Sequence, residues 1–272
     1  MANIPDTEKT SKYDHIEKMS TLDIVSNINQ EDQTVALSVQ AVLPQVATLI
    51  DKIASRMEKG GRLFYIGSGT SGRLGVVDAS ECPPTFGVPH DMVIGIIAGG
   101  DGAIRKAVEF AEDDENQAWE DLLGFKPDAN DSVIGIAASG NTPYVIGGVE
   151  AAKKHGLLTG CVACSVNSRL GRSVDYPIEV AVGPEFISGS TRMKSGTAQK
   201  MILNMVTTGI MIRLGRIKGN KMVDMQLTNK KLEQRGVRML VQELQIDEKT
   251  AEELLKKYGS VRASIDGYAN LM

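Results

Sequence analysis

The chain has few cysteines and aromatic residues, no excess of basic charge and no long apolar run. Its 272 residues include 30 Lys and Arg against 34 Asp and Glu, a net charge of −4, so no basic field is present to recruit nucleic acid. No apolar run approaches the about 20 residues of a membrane span. The first residues are polar and lack the apolar core of a signal peptide. These absences predict a cytosolic protein without a nucleic-acid or membrane partner.

Cysteine and histidine are too few for a disulfide framework or a metal cluster. The chain has three cysteines, and an odd number argues against paired disulfides. Cys161 and Cys164 have C-x-x-C spacing, but they lie in an apolar run that predicts a buried strand. A redox or zinc role would need exposure or further ligands. The three histidines are dispersed, so we expect buried structural cysteines and no metal.

What the chain does contain is a glycine-rich turn between an apolar strand and a helix. The apolar run 63–66 is followed by GSGTSG at 67–72 and then by apolar residues at helical spacing. Glycines let backbone N–H groups approach an anion, and a helix N-terminus adds a partial positive charge. Ser68, Thr70 and Ser71 add hydroxyls that can donate to phosphate oxygens. The stretch therefore predicts a phosphate-binding turn.

Two other interpretations of this turn stay open beside a phosphomonoester site. GSGTSG matches the G-x-G-x-x-G dinucleotide pattern, which is weak alone. The next predicted strand, 92–98, ends in two glycines, whereas a dinucleotide site needs an acidic residue there. No Gly-Lys-Ser/Thr follows, so a Walker A loop is excluded. A purely structural turn is the second alternative.

Alternating apolar runs and helical segments predict the fold class. Further strands are predicted at 92–98, 132–138, 157–166 and 176–182. Nearly continuous apolarity is typical of strands buried on both faces. The predicted helices lie at 103–111, 116–123, 143–155 and 193–214. The pattern favours an α/β fold with a doubly wound, five-stranded parallel sheet, whose GSGTSG, AGGDG and ASGNT turns converge at one edge.

The regions on either side of the sheet are predicted to be helical. Residues 1–58 form an N-terminal arm with a short helix capped by Ser20, a polar turn at 29–32 and an amphipathic helix at 35–57 interrupted by Pro44. Residues 59–220 form the α/β domain. Residues 221–272 form a small helical appendage. Its helices are predicted at 227–244 and 249–258, with a possible third at 261–265.

Two acidic groups follow predicted elements near the turn. Glu81 precedes Pro83-Pro84, which is expected to end the helix and stiffen a loop where a carboxyl group can act as a general acid. A surface or capping role for Glu81 stays open. Glu109 and Glu112 are three residues apart and share a side of the predicted helix. Carboxylates from separate elements suggest paired acid and base roles.

Four stretches of the chain resemble the N-acetylmuramic acid 6-phosphate etherases, sugar-isomerase (SIS) fold enzymes of cell-wall sugar recycling. They are GSGTSGRLGVVDASECPPTFGV, IIAGGDGAIRKAVEFAED, IAASGNTPYV and GSTRMKSGTAQK. The resemblance covers nearly the whole chain and implies a SIS fold. It also implies a lyase that cleaves the D-lactyl ether of N-acetylmuramic acid 6-phosphate with water. The products would be N-acetylglucosamine 6-phosphate and D-lactate, and no metal, nucleotide or other cofactor is implied.

The resemblance also implies roles for individual residues. Glu81 would protonate the departing lactate oxygen, and Glu112 would be the base at C2 of the ring-opened sugar, in an elimination followed by hydration. The implied substrate and phosphate contacts are Ser68, Gly69, Thr70, Ser71, Glu109, Ser139, Gly140, Asn141, Thr142, Ser190 and Lys194. A homodimer is implied as well, and the apolar helix 201–212 is the contact that we predict.

The chain departs from the family pattern at four places. An Asn and a Ser ahead of an Ile-Asp pair are missing at 10–17, Phe110 replaces a Gly, and Asn141 replaces an Arg. The chain also ends inside the appendage, which we expect to be shortened. Two alternatives stay open: a non-enzymatic sugar-phosphate sensor, like the glucokinase regulatory protein, and an aldose–ketose isomerase of the same fold.

Overall fold

Five parallel strands form the sheet of the computed structural model, which describes residues 4–270. They are β1 (Leu63–Gly67), β2 (Val93–Ile97), β3 (Ser132–Ala137), β4 (Leu158–Ala163) and β5 (Tyr176–Glu179). Their order is β2-β1-β3-β4-β5, and every pairing is parallel. The predicted doubly wound α/β fold is confirmed. Residues 1–3 and 271–272, the outer ends of the predicted arm and appendage, lie outside the described part of the chain.

Helices cover both faces of this sheet. They are α1 (Thr21–Gln40), α2 (Leu43–Met57), α3 (Gly69–Phe86), α4 (Gly102–Arg105), α5 (Gln117–Leu123), α6 (Pro143–Lys154), α7 (Arg169–Ser173) and α8 (Lys194–Arg213). Successive strand side chains point to opposite faces. Tyr65 accordingly joins the apolar cluster of α1, α2, α3 and α8, whereas Phe64 joins that of α5, α6 and α7.

The N-terminal arm differs from its prediction. Ser20 caps α1 as expected, because its side chain accepts a hydrogen bond from the Asp23 N–H. The predicted polar turn at 29–32 is wrong, since α1 continues through it and buries Glu31. The interruption predicted at Pro44 in the helix at 35–57 is present just before that residue, at positions 41–42, where α1 and α2 meet at a bend of 58°. Pro44 lies in the first turn of α2, where a missing N–H costs no helical hydrogen bond.

Two predicted helix boundaries near the glycine turn are wrong. α3 does not end at Pro83-Pro84 but includes both prolines, and Gly87 closes it in a left-handed conformation (φ 64°). Glu81 therefore lies in a helix, not in a loop. The predicted helix at 103–111 is short, because α4 ends at Arg105 and Lys106 is extended (φ −137°, ψ 125°). Glu109 and Glu112 thus share no helix face.

The C-terminal appendage is helical, as predicted. Its helices are α9 (Lys230–Leu244), α10 (Glu248–Tyr258) and α11 (Val261–Ala269), which surround an apolar cluster of their own. Asp247 caps α10 through the Thr250 N–H, and Gly259 ends it. Arg262 binds Asp224 at 2.7 Å (Nε to Oδ1), so α11 is tied to the segment before α9. The division into domains at residues 58 and 220 stays a prediction.

The length and apolarity of the helices also bear on membrane insertion. Within residues 4–270, no single helix is both long and apolar enough to cross a bilayer. In this part of the chain, only α1 and α2 taken together, which form a bent pair, are long and apolar enough, and this follows from length and composition alone.

The cysteines are free and buried, as predicted. Burial raises the pKa of the Cys82, Cys161 and Cys164 thiols to about 12. They are therefore protonated near neutral pH and unsuited to redox chemistry or metal ligation.

Candidate active site

The GSGTSG turn lies where the order of the sheet reverses. β1 is flanked by β2 on one side and by β3 on the other, so the chain leaves β1 at a topological switch point. Gly72 allows the turn to close tightly, because a Cβ there would lie 2.7 Å from the Gly67 carbonyl oxygen. Gly69 has φ +51° and nothing within 4 Å of its Cβ position. The turn thus presents bare backbone to an open space.

The start of α3 has free donors for an anion. Ser68 is its N-cap residue, but no side chain caps the helix. The first intrahelical bond runs from the Gly72 N–H to the Ser68 carbonyl at 3.0 Å, so the N–H groups of 69–71 precede the helical ladder. Unpaired N–H groups at the positive end of an 18-residue helix make an anion-binding site.

The three predicted hydroxyls have different partners. Ser68 Oγ donates to Glu112 Oε2 at 2.7 Å. Ser71 is buried, and its Oγ donates to Gln199 Oε1 on α8 at 3.0 Å. Its single proton is thus used inside the protein, which disfavours the predicted phosphate contact by Ser71. Thr70 is half-buried against Gly196 of α8.

Four of the predicted site residues line one cleft at the end of β1, which we call the β1 cleft. Its volume is about 220 Å³. Its lining includes Ser68, Gly69, Glu109 and Glu112, together with Arg73, which the sequence analysis missed although it directly follows the glycine turn. The carboxylates of Glu109 and Glu112 are exposed. Two carboxylates and the glycine turn therefore share one cleft.

Glu112 is fixed to the neighbouring helix through its backbone. Its carbonyl oxygen accepts a hydrogen bond from the Tyr144 N–H in the first turn of α6, at 3.0 Å. Tyr144 is itself buried, and its hydroxyl donates to Asp121 Oδ2 at 2.7 Å. Glu112 is therefore held by two contacts: α6 binds its main-chain carbonyl, and Ser68 binds its side-chain carboxylate.

The turn after β3 opens into a second cleft. Ser139 and Asn141 line a space of about 410 Å³, together with the loop after β4, the start of α7 and residues 4–6 and 9. Gly140 is buried, and Thr142 is the half-buried N-cap residue of α6, without a side-chain capping bond. β1 and β3 are neighbours in the sheet, so the two glycine turns lie at the same edge.

Lys194 is the first residue of α8 and Ser190 lies in the turn before it, and both are outside the two clefts. The Lys194 side chain is 2% exposed, and its Nζ binds Glu31 Oε2 at 2.6 Å. The ammonium group is thus engaged by a buried carboxylate, which disfavours the predicted substrate contact. Ser190 is half-buried in the turn before α8. Glu31 was missed because its polar neighbours resemble a turn and its partner is 163 positions away.

Within one chain, the structure does not bring Glu81 to the β1 cleft. Glu81 is exposed and follows Gly69 by twelve residues of continuous helix. At 1.5 Å per residue this is about 18 Å along the α3 axis, away from the phosphate turn. The expectation that Glu81 and Glu112 meet at one edge is therefore wrong for a single copy of the chain.

A buried polar network fixes α3 one turn before Glu81. Asp78 accepts hydrogen bonds from Tyr65 of β1 at 3.1 Å and from Asn204 of α8 at 2.8 Å. Burial raises the pKa of the Asp78 carboxyl group, and these hydrogen bonds act against the increase. The network ties α3 to the sheet and to α8, so the helix that carries Glu81 is fixed in position.

The residues that the structure describes do not form a metal site. Among residues 4–270, no group of three or more His, Cys, Asp and Glu side chains is arranged to hold a metal ion. The β1 cleft thus offers hydroxyls, backbone N–H groups, carboxylates and the Arg73 guanidinium group.

Comparisons with known proteins place this arrangement in a family. The chain is 59% identical over 266 residues to the N-acetylmuramic acid 6-phosphate etherase of Christiangramia forsetii, covering 98% of this chain and 97% of that protein. It is 57% identical over 262 residues to the protein of the same name from Bacteroides thetaiotaomicron, covering 96% and 95%.

The chain belongs to the N-acetylmuramic acid 6-phosphate etherase family.

Other comparisons agree with this etherase family membership at the level of the fold. The family model of the glucokinase regulatory protein N-terminal SIS domain matches residues 45–153. A putative phosphosugar isomerase involved in capsule formation from Bacteroides fragilis superposes with a TM-score of 0.57 at 18% identity, covering 74% of this chain and 95% of that one. A phosphoheptose isomerase from Francisella tularensis gives 0.55 at 18%, covering 71% and 98%. These similarities show a SIS fold, whereas the etherases match at far higher identity.

Proposed function

We propose that the protein cleaves the D-lactyl ether of N-acetylmuramic acid 6-phosphate with water, giving N-acetylglucosamine 6-phosphate and D-lactate. The observation that carries the proposal is the 2.7 Å contact between the Glu112 carboxylate and the hydroxyl of Ser68 in the phosphate turn. This contact supports a base next to a phosphate site, in a chain whose curated relatives are named etherases.

The phosphate group would bind at the start of α3. The free N–H groups of residues 69–71 face it, and the hydroxyls of Ser68 and Thr70 are next to them. Gly140, Asn141, Ser139 and Thr142 belong to the neighbouring turn, where they can bind sugar hydroxyls. Because Ser68 donates to Glu112, phosphate binding would exchange this acceptor and release the carboxylate toward the sugar.

The chemistry follows from the acidity of the sugar. In the ring-opened form C1 is an aldehyde, which acidifies the hydrogen on C2. Glu112 removes that proton, the C3–O bond breaks, and the lactate oxygen takes a proton from an acid because an alkoxide is a poor leaving group. Water then adds at C3 of the unsaturated aldehyde to give N-acetylglucosamine 6-phosphate.

The acid, Glu81, would come from a second copy of the chain. Its distance from the turn along α3, about 18 Å, is too large for both carboxylates of one chain to contact one sugar. A homodimer in which α3 of one subunit points at the β1 cleft of the other would resolve the conflict. Each site then combines Ser68 and Glu112 of one subunit with Glu81 of its partner.

Exposed apolar residues of α1 and α3 support this dimer better than the predicted contact does. Most apolar residues of the helix segment 201–212 are covered by the chain itself, so this segment is a poor interface. Val77, one turn before Glu81 on α3, is 56% exposed. Leu22 and Val25 of α1 are 72% and 52% exposed. We propose these faces of α1 and α3 as the dimer contact.

A cytoplasmic location completes the proposal. Three buried free cysteines are typical of proteins kept in a reducing compartment. The substrate class, a sugar phosphate, is also an intracellular form of sugar.

Two variants test the reaction. Glu112→Gln should abolish both lactate release from the substrate and exchange of the C2 hydrogen with deuterated water. The exchange is measured by NMR on N-acetylglucosamine 6-phosphate that is added to the enzyme. Glu81→Gln should stop lactate release but leave some exchange. General acid–base assistance contributes about 10²–10⁴-fold, so both losses are measurable. Asp113→Asn, an exposed neighbour of Glu112 outside the cleft, is the control and should keep wild-type rates. Full lactate release by Glu81→Gln would contradict the mechanism.

A further inference from the structure

Arg73 links the phosphate-binding helix to the segment that carries Glu112. It lies in the second turn of α3, is half-buried and lines the β1 cleft. Its Nε donates to the Ile104 carbonyl at 2.8 Å, and its Nη2 donates to the Ala103 carbonyl at 2.7 Å. Both carbonyls belong to α4, a helix too short to pair them with later N–H groups.

The chain after α4 depends on this link. Residues 106–116 form no regular helix or strand, and Phe110 has a left-handed backbone (φ 61°). Val108 packs against Gly99, where an added Cβ would lie 2.7 Å from the Val108 Cβ. The next main-chain anchor is the hydrogen bond from Tyr144 to Glu112. The Glu112 segment, residues 106–112, is therefore an irregular stretch held at its start by Arg73 and at its end by α6.

We propose that Arg73 is a positioning residue for Glu112. Its guanidinium group ties α4 to the helix that binds the phosphate, so the base and the phosphate site keep a fixed separation. The planar fork of Arg reaches two adjacent carbonyls at once, whereas the single ammonium group of Lys reaches one. This inference rests on the proposed role of Glu112 as the base.

The test separates positioning from ligand binding. Arg73→Ala should lower kcat for lactate release and C2 exchange about 10- to 100-fold, because a displacement of about 1 Å can cost 10²-fold in rate. Its affinity for N-acetylglucosamine 6-phosphate, measured by calorimetry, should stay within about twofold, and Arg73→Lys should recover part of kcat. Arg105→Ala, an exposed cation at the end of the same α4, is the matched control and should keep wild-type kcat.

A second measurement needs no turnover. Amide hydrogen exchange in the Glu112 segment of the ligand-free protein should speed up in Arg73→Ala and not in Arg105→Ala, while exchange in β1 and β3 stays unchanged. Unchanged exchange in that segment would overturn the inference, as would an unchanged kcat or a tenfold loss of product affinity at constant kcat. If the unmutated protein releases no lactate, the proposed function fails. The exchange experiment then still decides whether Arg73 holds the segment.

Discussion

Ser68 and Ser71 have hydroxyls with different partners, which makes them a matched pair for mutation. Ser68→Ala should weaken N-acetylglucosamine 6-phosphate binding about tenfold, which is the low end of the effect for a hydrogen bond to a charged group. The effect is small because the Ser68 hydroxyl only exchanges one charged acceptor, the Glu112 carboxylate, for another, the phosphate. Ser71→Ala should instead lower the free energy of unfolding by about 1–3 kcal/mol, because it leaves the buried Gln199 amide oxygen unpaired.

Calorimetry and urea unfolding together check this assignment. Ser71→Ala should bind the sugar phosphate as the unmutated protein does, and Ser68→Ala should unfold at the same urea concentration. A large loss of affinity in Ser71→Ala with unchanged stability would restore the interpretation of Ser71 as a phosphate ligand.

The thiols provide a separate prediction at the same scale. Because burial raises the pKa of Cys82, Cys161 and Cys164 to about 12, almost no thiolate is present at pH 8. The native protein should therefore react with a thiol reagent such as 5,5′-dithiobis(2-nitrobenzoate) only as it unfolds, with three thiols released in urea. Rapid labelling of a thiol in the folded protein would show that the structure around that cysteine opens locally.

Between elements, the main electrostatic link is the buried ion pair that joins α1 to α8. Lys194 and Glu31 have side chains 2% and 7% exposed, and Lys12 adds a second contact to Glu31 at 3.2 Å. Lys194→Met leaves a buried carboxylate whose remaining partners are the exposed Lys12 and the Tyr13 hydroxyl. It should therefore lower the free energy of unfolding by about 3 kcal/mol, the low end for a broken buried pair. Lys200→Met, an exposed site on α8, should change little.

The effect of Lys194→Met should depend on pH. Burial alone would raise the pKa of Glu31, but hydrogen bonds and charge from Lys194 and Lys12 hold it below the ordinary glutamate value. A carboxyl group whose pKa is lowered by folding stabilises the protein above its unfolded pKa and loses that contribution as the pH falls through the folded pKa. Urea unfolding from pH 7 to pH 3 should therefore show the difference between Lys194→Met and the unmutated protein shrinking in acid. A constant difference would contradict the assignment.

Elements fixed by local pattern were predictable, and elements fixed by distant partners were not. The strands and the glycine turn follow from apolar runs buried on both faces and from conformations that only glycine adopts easily, as at Gly69. Glu31 in α1 was assigned to a turn because its partner Lys194 is remote in sequence. The helix predicted after β2 stops at Arg105, since Arg73 takes the carbonyls of Ala103 and Ile104 that a continuing helix would use.

At the scale of the whole molecule, the proposed base and the proposed acid lie in two separate regions of each chain. The phosphate turn and Glu112 lie at the carboxyl edge of the sheet, and α3 carries Glu81 away from that edge. A sequence pattern gives the order of these residues but not the direction of the helix between them. If the two carboxylates form one acid–base pair, as we propose, this separation requires a second copy of the chain, and one contact of a symmetric dimer would build two equivalent sites.

Mixed dimers test this division directly. Glu81→Gln and Glu112→Gln chains, each inactive alone, should be co-expressed with different affinity tags and the mixed dimer isolated through both tags. If Glu81 acts across the interface, one site of the mixed dimer has both of its carboxylates replaced and the other is intact. Lactate release should then return to about half of the wild-type rate per dimer.

Its control is a dimer of two differently tagged Glu112→Gln chains, which should stay inactive. If Glu81 served its own chain, every site in the mixed dimer would lack one carboxylate and no activity would return. Leu22→Glu on the exposed face of α1 provides a second check, because a charge there should weaken the dimer and reduce lactate release together. Light scattering that reports an active monomer of this variant would place the acid elsewhere in the same chain.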